Sequence, residues 1–273
     1  TCALPICDEA PDVFGVSHFL EHMMFKGTPR RTALDVNLDF DRIGAKYNAY
    51  TSEEFTVYHA AVLPEYLPRV LDILTDILRP SLRQDDFDTE KQVILEEIDM
   101  YDDQPGSAAM EHARQIYYGE HPLGNSVLGS KESVGGLKRD QMHAYFKRRY
   151  SASNILVSAA GNFDWDELRK LVESATGGWQ PGETGRTSRR EWAGSGGLHV
   201  RTRVKVQQEY VFTLAGGPPA ASMMRSRRLT WSSSRITDSA DIPVYAWSRA
   251  SSWPTTTRAN IRSPCITTRS RRT

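Results

Sequence analysis

His18 and His22 stand four residues apart in the run His18-Phe19-Leu20-Glu21-His22. On a helix that spacing points both imidazoles the same way, one turn apart. Two imidazoles so placed can each reach one Zn²⁺ at roughly 2.0–2.1 Å. Glu21, directly before the second histidine, stays on the same side, where its carboxylate can take a proton from a metal-activated water. Histidine is scarce here, with seven in 273 residues, so the arrangement is an uncommon one for this composition. The other five (His59, His112, His121, His143 and His199) carry no comparable spacing and read as packing or surface residues.

Two histidines leave a catalytic zinc short of protein ligands, since three plus a water is the usual set. A carboxylate from a second helix is the natural third. Residues 85–101 read as such a helix, with Asp85 at its N-cap. Glu90 and Glu97 lie seven residues apart on it, two turns and one face, beside Ile94 and Ile98. Carboxylates on a partly apolar face need partners, so both are candidates.

The elements that must hold these groups follow from periodicity. Residues 12–26 make the motif helix, ended by Gly27-Thr28-Pro29, and 32–43 make a second helix stopped by Gly44. Lys46 to Val62 is strand-like, with β-branched and aromatic residues in partial alternation. Pro64 opens a helix with an apolar stripe (Leu67, Val70, Leu71, Leu74, Ile77, Leu78) that Pro80 closes. Helices are expected at 106–118, 137–149 and 165–176, and strands at Asn154–Ala160 and Gln208–Ala215.

Taken together, the blocks GVSHFLEHMMFKGT, GAKYNAYTSEEFTVYHAAV, EKQVILEEIDMYDDQP, HPLGNSVLGSKESV and YFKRRYSASNILVSAAGNF follow one another between residues 15 and 163. In text and order they resemble the N-terminal half of the inverzincin zinc peptidases, the family of pitrilysin, insulin-degrading enzyme and mitochondrial processing peptidase, and most of all its short bacterial processing-peptidase-like members. The resemblance implies an α+β half-domain: a mixed, mainly antiparallel sheet with helices packed on one face, here missing its first strands. It implies one Zn²⁺ held by His18, His22 and a glutamate about 75 residues beyond, which falls on Glu97. Glu96 would point about 100° away on the same helix. Glu21 is then the general base, and Glu90 a supporting carboxylate. Asn48, Ala49, Tyr50, Thr51 and Ser52 would form a strand edge to which a peptide substrate adds as a further strand. A second homologous half or subunit would complete the enzyme, as a homo- or heterodimer where the halves are separate chains. Two other classes were weighed: a non-catalytic peptide-binding subunit, disfavoured by the intact motif, and a metal-dependent lyase with a similar histidine motif, which leaves the blocks from 85 to 163 unexplained.

Charge and composition divide the chain. Residues 222–273 hold ten arginines and two aspartates, net +8, against 24 basic and 32 acidic residues, net −8, in residues 1–221. An acidic body argues against a nucleic-acid partner, and no run of 18 apolar residues suggests a membrane span. Ser, Thr and Arg fill 29 of the last 52 positions without apolar periodicity, which reads as a frame-shifted or disordered tail. Residues 1–7 have no helix or strand logic and read as non-native. The expected organisation is therefore a zinc-binding domain at 8–140, then at 141–221 the end of that fold and the start of a truncated second domain. Cys2, Cys7 and Cys265 lie near the ends and suggest no disulfide framework; a reduced compartment, the bacterial cytoplasm, is the expectation.

Overall fold

The computed structural model describes residues 9–182, 194, 196–202 and 209–216. Both the leading residues 1–7 and the tail 222–273 lie outside them. The described residues fall within one compact unit, residues 1–216. Its elements run α1 (Val16–Met24), α2 (Ala33–Arg42), β1 (Lys46–Thr51), β2 (Thr56–Ala61), α3 (Leu67–Ile77), α4 (Gln84–Asp103), α5 (Pro105–Tyr118), α6 (Lys131–Gly136), α7 (Arg139–Arg149) and α8 (Trp165–Thr176).

The fold is α+β, and among the described residues the sheet is a two-stranded hairpin. Strands β1 and β2 pair antiparallel with Lys46 opposite Ala61 and Thr51 opposite Thr56. Ser52 makes the turn, its amide and its hydroxyl both donating to the Phe55 carbonyl at 2.9 Å. Tyr47, Ala49, Thr56, Tyr58 and Ala60 project from one face of the hairpin onto α1 and α3, while Lys46, Asn48, Tyr50 and His59 face solvent. This is the period-2 alternation of a half-buried sheet.

The strand expected at Asn154–Ala160 does not form. A short 3₁₀ turn covers Ala152–Asn154, Ile155 holds a single bridge position, and residues 156–160 are without strand assignment, with Leu156 65% exposed. Propensity alone does not make a strand, which needs a ladder along its length. Residues 209–216 likewise carry no strand, and Gln208 is outside the described residues. A short helix at Lys131–Gly136 precedes α7, where one helix beginning at 137 was expected.

Packing centres on α1. Phe19, Leu20, Met23 and Met24 are essentially inaccessible, and Phe19 stacks on Phe87 of α4 with centroids 4.7 Å apart. Helix α4 buries Phe87, Glu90, Ile94 and Ile98, one face at spacings of three and four residues. Arg83, not Asp85, is its N-cap residue; Asp85 sits in the first turn, where its charge suits the helix dipole.

Two polar devices hold α1 at its ends. At the front, buried Glu9 accepts from the amides of Gly15 (2.8 Å) and Ser17 (2.7 Å), two donors that the helix itself leaves free. Gly15 has φ +90°, and a Cβ there would sit 2.6 Å from the Leu128 carbonyl oxygen. Only glycine allows residues 128–129 to come so close. At the back, buried Arg31 spans Asp39 (2.9 Å), Asp76 (2.6 Å) and Asp72 (2.5 Å), and Thr28 donates to Asp76. The loop leaving α1 is thereby tied to α2 and α3.

Candidate metal centre and cleft

Helix α1 turns its apolar face to the core and its His18–Glu21–His22 face to a cleft of about 660 Å³. The opposite wall comes from α4, α5 and residues 126–132, and β1 forms the edge. Glu97 reaches across from α4. Its Oε2 lies 3.7 Å from His18 Nε2 and 3.6 Å from His22 Nε2. Among the described residues, His18, His22 and Glu97 are the group that could hold a metal ion, their ligand atoms all within 4.8 Å of one another. Ligands at 2.0–2.1 Å on a tetrahedral ion sit roughly 3.3 Å apart, so a small contraction fits the set to Zn²⁺.

The chemistry of the donors also suits a metal. Burial, with help from the neighbouring His22, pushes His18 down to about 3, so its ring is neutral at ordinary pH and has a lone pair to give. Its Nδ1 is buried with no hydrogen-bond partner among the described residues. His22 Nδ1 lies 2.8 Å from Glu90 Oε1. An Nδ1–H donating there leaves the Nε2 lone pair facing Glu97, which is how a carboxylate behind a ligand histidine fixes its tautomer. Burial alone would lower His22; the bond to Glu90 and the charges of Glu90, Glu97 and Glu21 outweigh it and raise the ring above its usual range.

Glu21 lines the same cleft. Burial raises its carboxyl above the ordinary value, opposed by a hydrogen bond from Thr51 and by His22. The Thr51 hydroxyl donates to Glu21 Oε2 at 2.5 Å and lies 3.2 Å from the Thr56 hydroxyl. A carboxylate raised in this way is a stronger base than one in water.

Of the five residues expected on the substrate edge, Ala49, Tyr50 and Thr51 line the cleft and Asn48 and Ser52 do not. Asn48 uses its side-chain oxygen to accept the Ala49 amide at 2.9 Å, and Ser52 builds the hairpin turn. The register explains the split, because only a few consecutive residues of a twisted strand pass the motif helix. Glu96 is exposed and lies outside the cleft lining. Sequence reading missed Glu9, Lys26 and the cleft wall at Tyr101, Ser107, Glu111 and 126–132. Their signal is spatial, apart from the block at 121–134, whose text carries the family resemblance but no role.

Solved structures share this helix-rich α+β fold. A protease from Helicobacter pylori superposes with a TM-score of 0.66 at 20% identity, over 71% of this chain and 48% of that one. An M16-like peptidase from Alicyclobacillus acidocaldarius gives 0.57 at 30% identity, over 63% and 40%. Residues 7–131 match the insulinase (peptidase family M16) model, and 136–222 match the M16 inactive-domain model. The chain belongs to peptidase family M16.

Relatives include an uncharacterized zinc protease of Streptomyces coelicolor, 38% identical over 62% of this chain and 37% of its own length. One from Mycobacterium tuberculosis is 41% identical over 62% and 39%. A protein of Schizosaccharomyces pombe named as a mitochondrial-processing peptidase subunit beta is 38% identical over 61% and 37%. The chain thus spans about two fifths of the length of the curated relatives it matches. Among the described residues no helix is long and apolar enough to cross a membrane.

Proposed function

We propose that this chain is the metal-bearing part of a zinc-dependent endopeptidase, with His18, His22 and Glu97 as ligands of one Zn²⁺ and Glu21 as general base. The observation that carries this reading is the convergence of the two imidazoles and Glu97 within 4.8 Å, with Glu21 on the same cleft wall. The zinc-protease names of its relatives support it. When bound, Zn²⁺ would supply Lewis acidity, bringing the pKa of water toward about 7 and polarising the scissile carbonyl. The chain's own residues do the rest. Glu21 takes the proton of the attacking water and hands it to the leaving amine. Thr51 holds that carboxylate in place. Glu90 orients His22. The Ala49–Thr51 stretch of β1 offers its edge to an extended peptide, which adds by main-chain hydrogen bonds.

Glu21, Glu97, Asp102, Glu111 and Glu132 line the cleft against a single Lys131, which suits basic, presequence-like peptides. A second homologous half or subunit would close the cleft over the substrate. The name of the fission-yeast relative, a subunit, supports that arrangement. The test is Glu21→Gln in the full-length protein. Zinc content should stay at one per chain while peptide hydrolysis falls below one per cent of the unmodified rate. Cleavage by the variant at the unmodified rate would remove Glu21 from the base role, and an unmodified protein that takes up no zinc would sink the reading altogether.

A further inference from the structure

We infer that Lys26 is a positioning residue for the metal centre, acting on His22 through Glu90. The inference rests on the zinc reading above. Glu90 is 4% exposed, and its two oxygens are divided: Oε1 faces His22 Nδ1 at 2.8 Å and Oε2 faces Lys26 Nζ at 2.5 Å. A buried carboxylate needs a partner for each oxygen to keep one orientation. Lys26 is the full cation in that pair. With Oε2 pinned, Oε1 is aimed at the His22 ring, and the ring in turn presents Nε2 toward Glu97.

Lys26 is itself held from both sides. It lies four residues beyond His22, where α1 has just ended, and its amide donates to the Met23 carbonyl at 3.2 Å. Its own carbonyl accepts from Arg83 Nη2 at 2.6 Å, and Arg83 is the N-cap residue of α4. The lysine therefore fastens the end of the helix carrying His22 to α4 at two points, Arg83 and Glu90. Glu97 follows Glu90 by two helical turns on the same element. The separation between the histidine pair and the third carboxylate is set through this fastening. Buried groups behind a ligand commonly govern metal affinity by about 10–100-fold.

The test is a double-mutant cycle on zinc affinity, read by chelator competition on the full chain, with no reliance on catalysis. Lys26→Met keeps the aliphatic stem and removes the ammonium; it should weaken zinc about tenfold or more. Lys26→Arg should recover affinity to within about threefold, because charge and reach remain. Glu90→Gln should also weaken zinc, and adding Lys26→Met to it should change affinity by less than about twofold, since both act along one path. Thermal melts of the metal-free proteins are read beside affinity: a merely structural lysine would shift the melts and leave zinc affinity unchanged, whereas a positioning lysine lowers zinc affinity in the folded metal-free protein. Lys26→Gln serves in the same cycle should the methionine variant fold poorly. Unmodified affinity in the Lys26→Met and Lys26→Gln proteins, or effects of Lys26 and Glu90 that multiply independently, would overturn the inference while leaving the zinc site standing. An unmodified chain that binds no zinc would overturn both.

Discussion

Thr51, the last residue of β1, donates its hydroxyl to Oε2 of Glu21 at 2.5 Å and so joins β1 to the motif helix. One carboxylate oxygen is occupied by the strand, leaving the other to meet a water. On the proposed reading, the strand that would align a peptide would also aim the base. Base and substrate would then be positioned by one element, which is the condition for effective proton transfer.

Removing that hydroxyl should act on turnover more than on binding. In the full-length protein Thr51→Val is expected to lower kcat by about 10–100-fold with KM within about threefold, the loss typical of a misplaced catalytic group. Thr51→Ser should restore most of it. Steady-state kinetics of the three proteins decide the matter, and a fall in KM-dependent terms alone would show that Thr51 serves substrate binding instead.

Neighbouring glutamates on α4 should separate cleanly. Glu97→Gln is expected to lose most bound zinc, while Glu96→Gln should retain one ion per chain, because Glu96 is exposed and lies outside the cleft lining. Metal analysis after gel filtration reads the outcome. Equal zinc in both variants would reject Glu97 as the third ligand.

The clamp at the front of α1 predicts a pH dependence of stability. Burial raises the Glu9 carboxyl to about 7, against the hydrogen bonds from Ser17 and Gly15 that lower it. With its folded value above its unfolded value, the folded state holds the proton that the unfolded state has released. The contribution of Glu9 is therefore greatest below about 4.5 and is lost as pH rises to about 7. A shift of this size corresponds to about 3 kcal/mol. Chemical unfolding of the metal-free protein at pH 4.5, 6 and 8 should show the stability gap to Glu9→Gln moving in favour of the variant as pH rises. A pH-independent gap would contradict the shift.

The Arg31 network should be the most sensitive polar site away from the cleft. Arg31→Met would leave Asp39, Asp72 and Asp76 facing one another with less charge to balance them. Removing one partner of a buried ionic cluster costs about 3–5 kcal/mol. Urea unfolding of the variant should register that loss, and a change under about 1 kcal/mol would mean that Arg30, Arg42 and Arg69, which also contact these aspartates, suffice to neutralise them.

The sequence by itself determined the local terms. Helix spacing aligned His18, Glu21 and His22, and it placed Glu90 and Glu97 on one face of α4, because 3.6 residues per turn is a property of the backbone alone. It also located α2, α3 and α8 within a residue or three of their observed bounds, since capping, proline and the apolar stripe are local signals. Tertiary structure decided what depends on distance between elements. That Glu97 approaches both imidazoles, that Thr51 holds Glu21, and that Lys26 and His22 share Glu90 follow from how α1, α4 and β1 pack. Glu9 looked like an ordinary acidic residue before α1 until the fold buried it over two free amides. The segment at 154–160 has the residues of a strand, yet among the described residues only Ile155 holds a bridge position there. A strand is completed by its neighbour, and no local pattern supplies one.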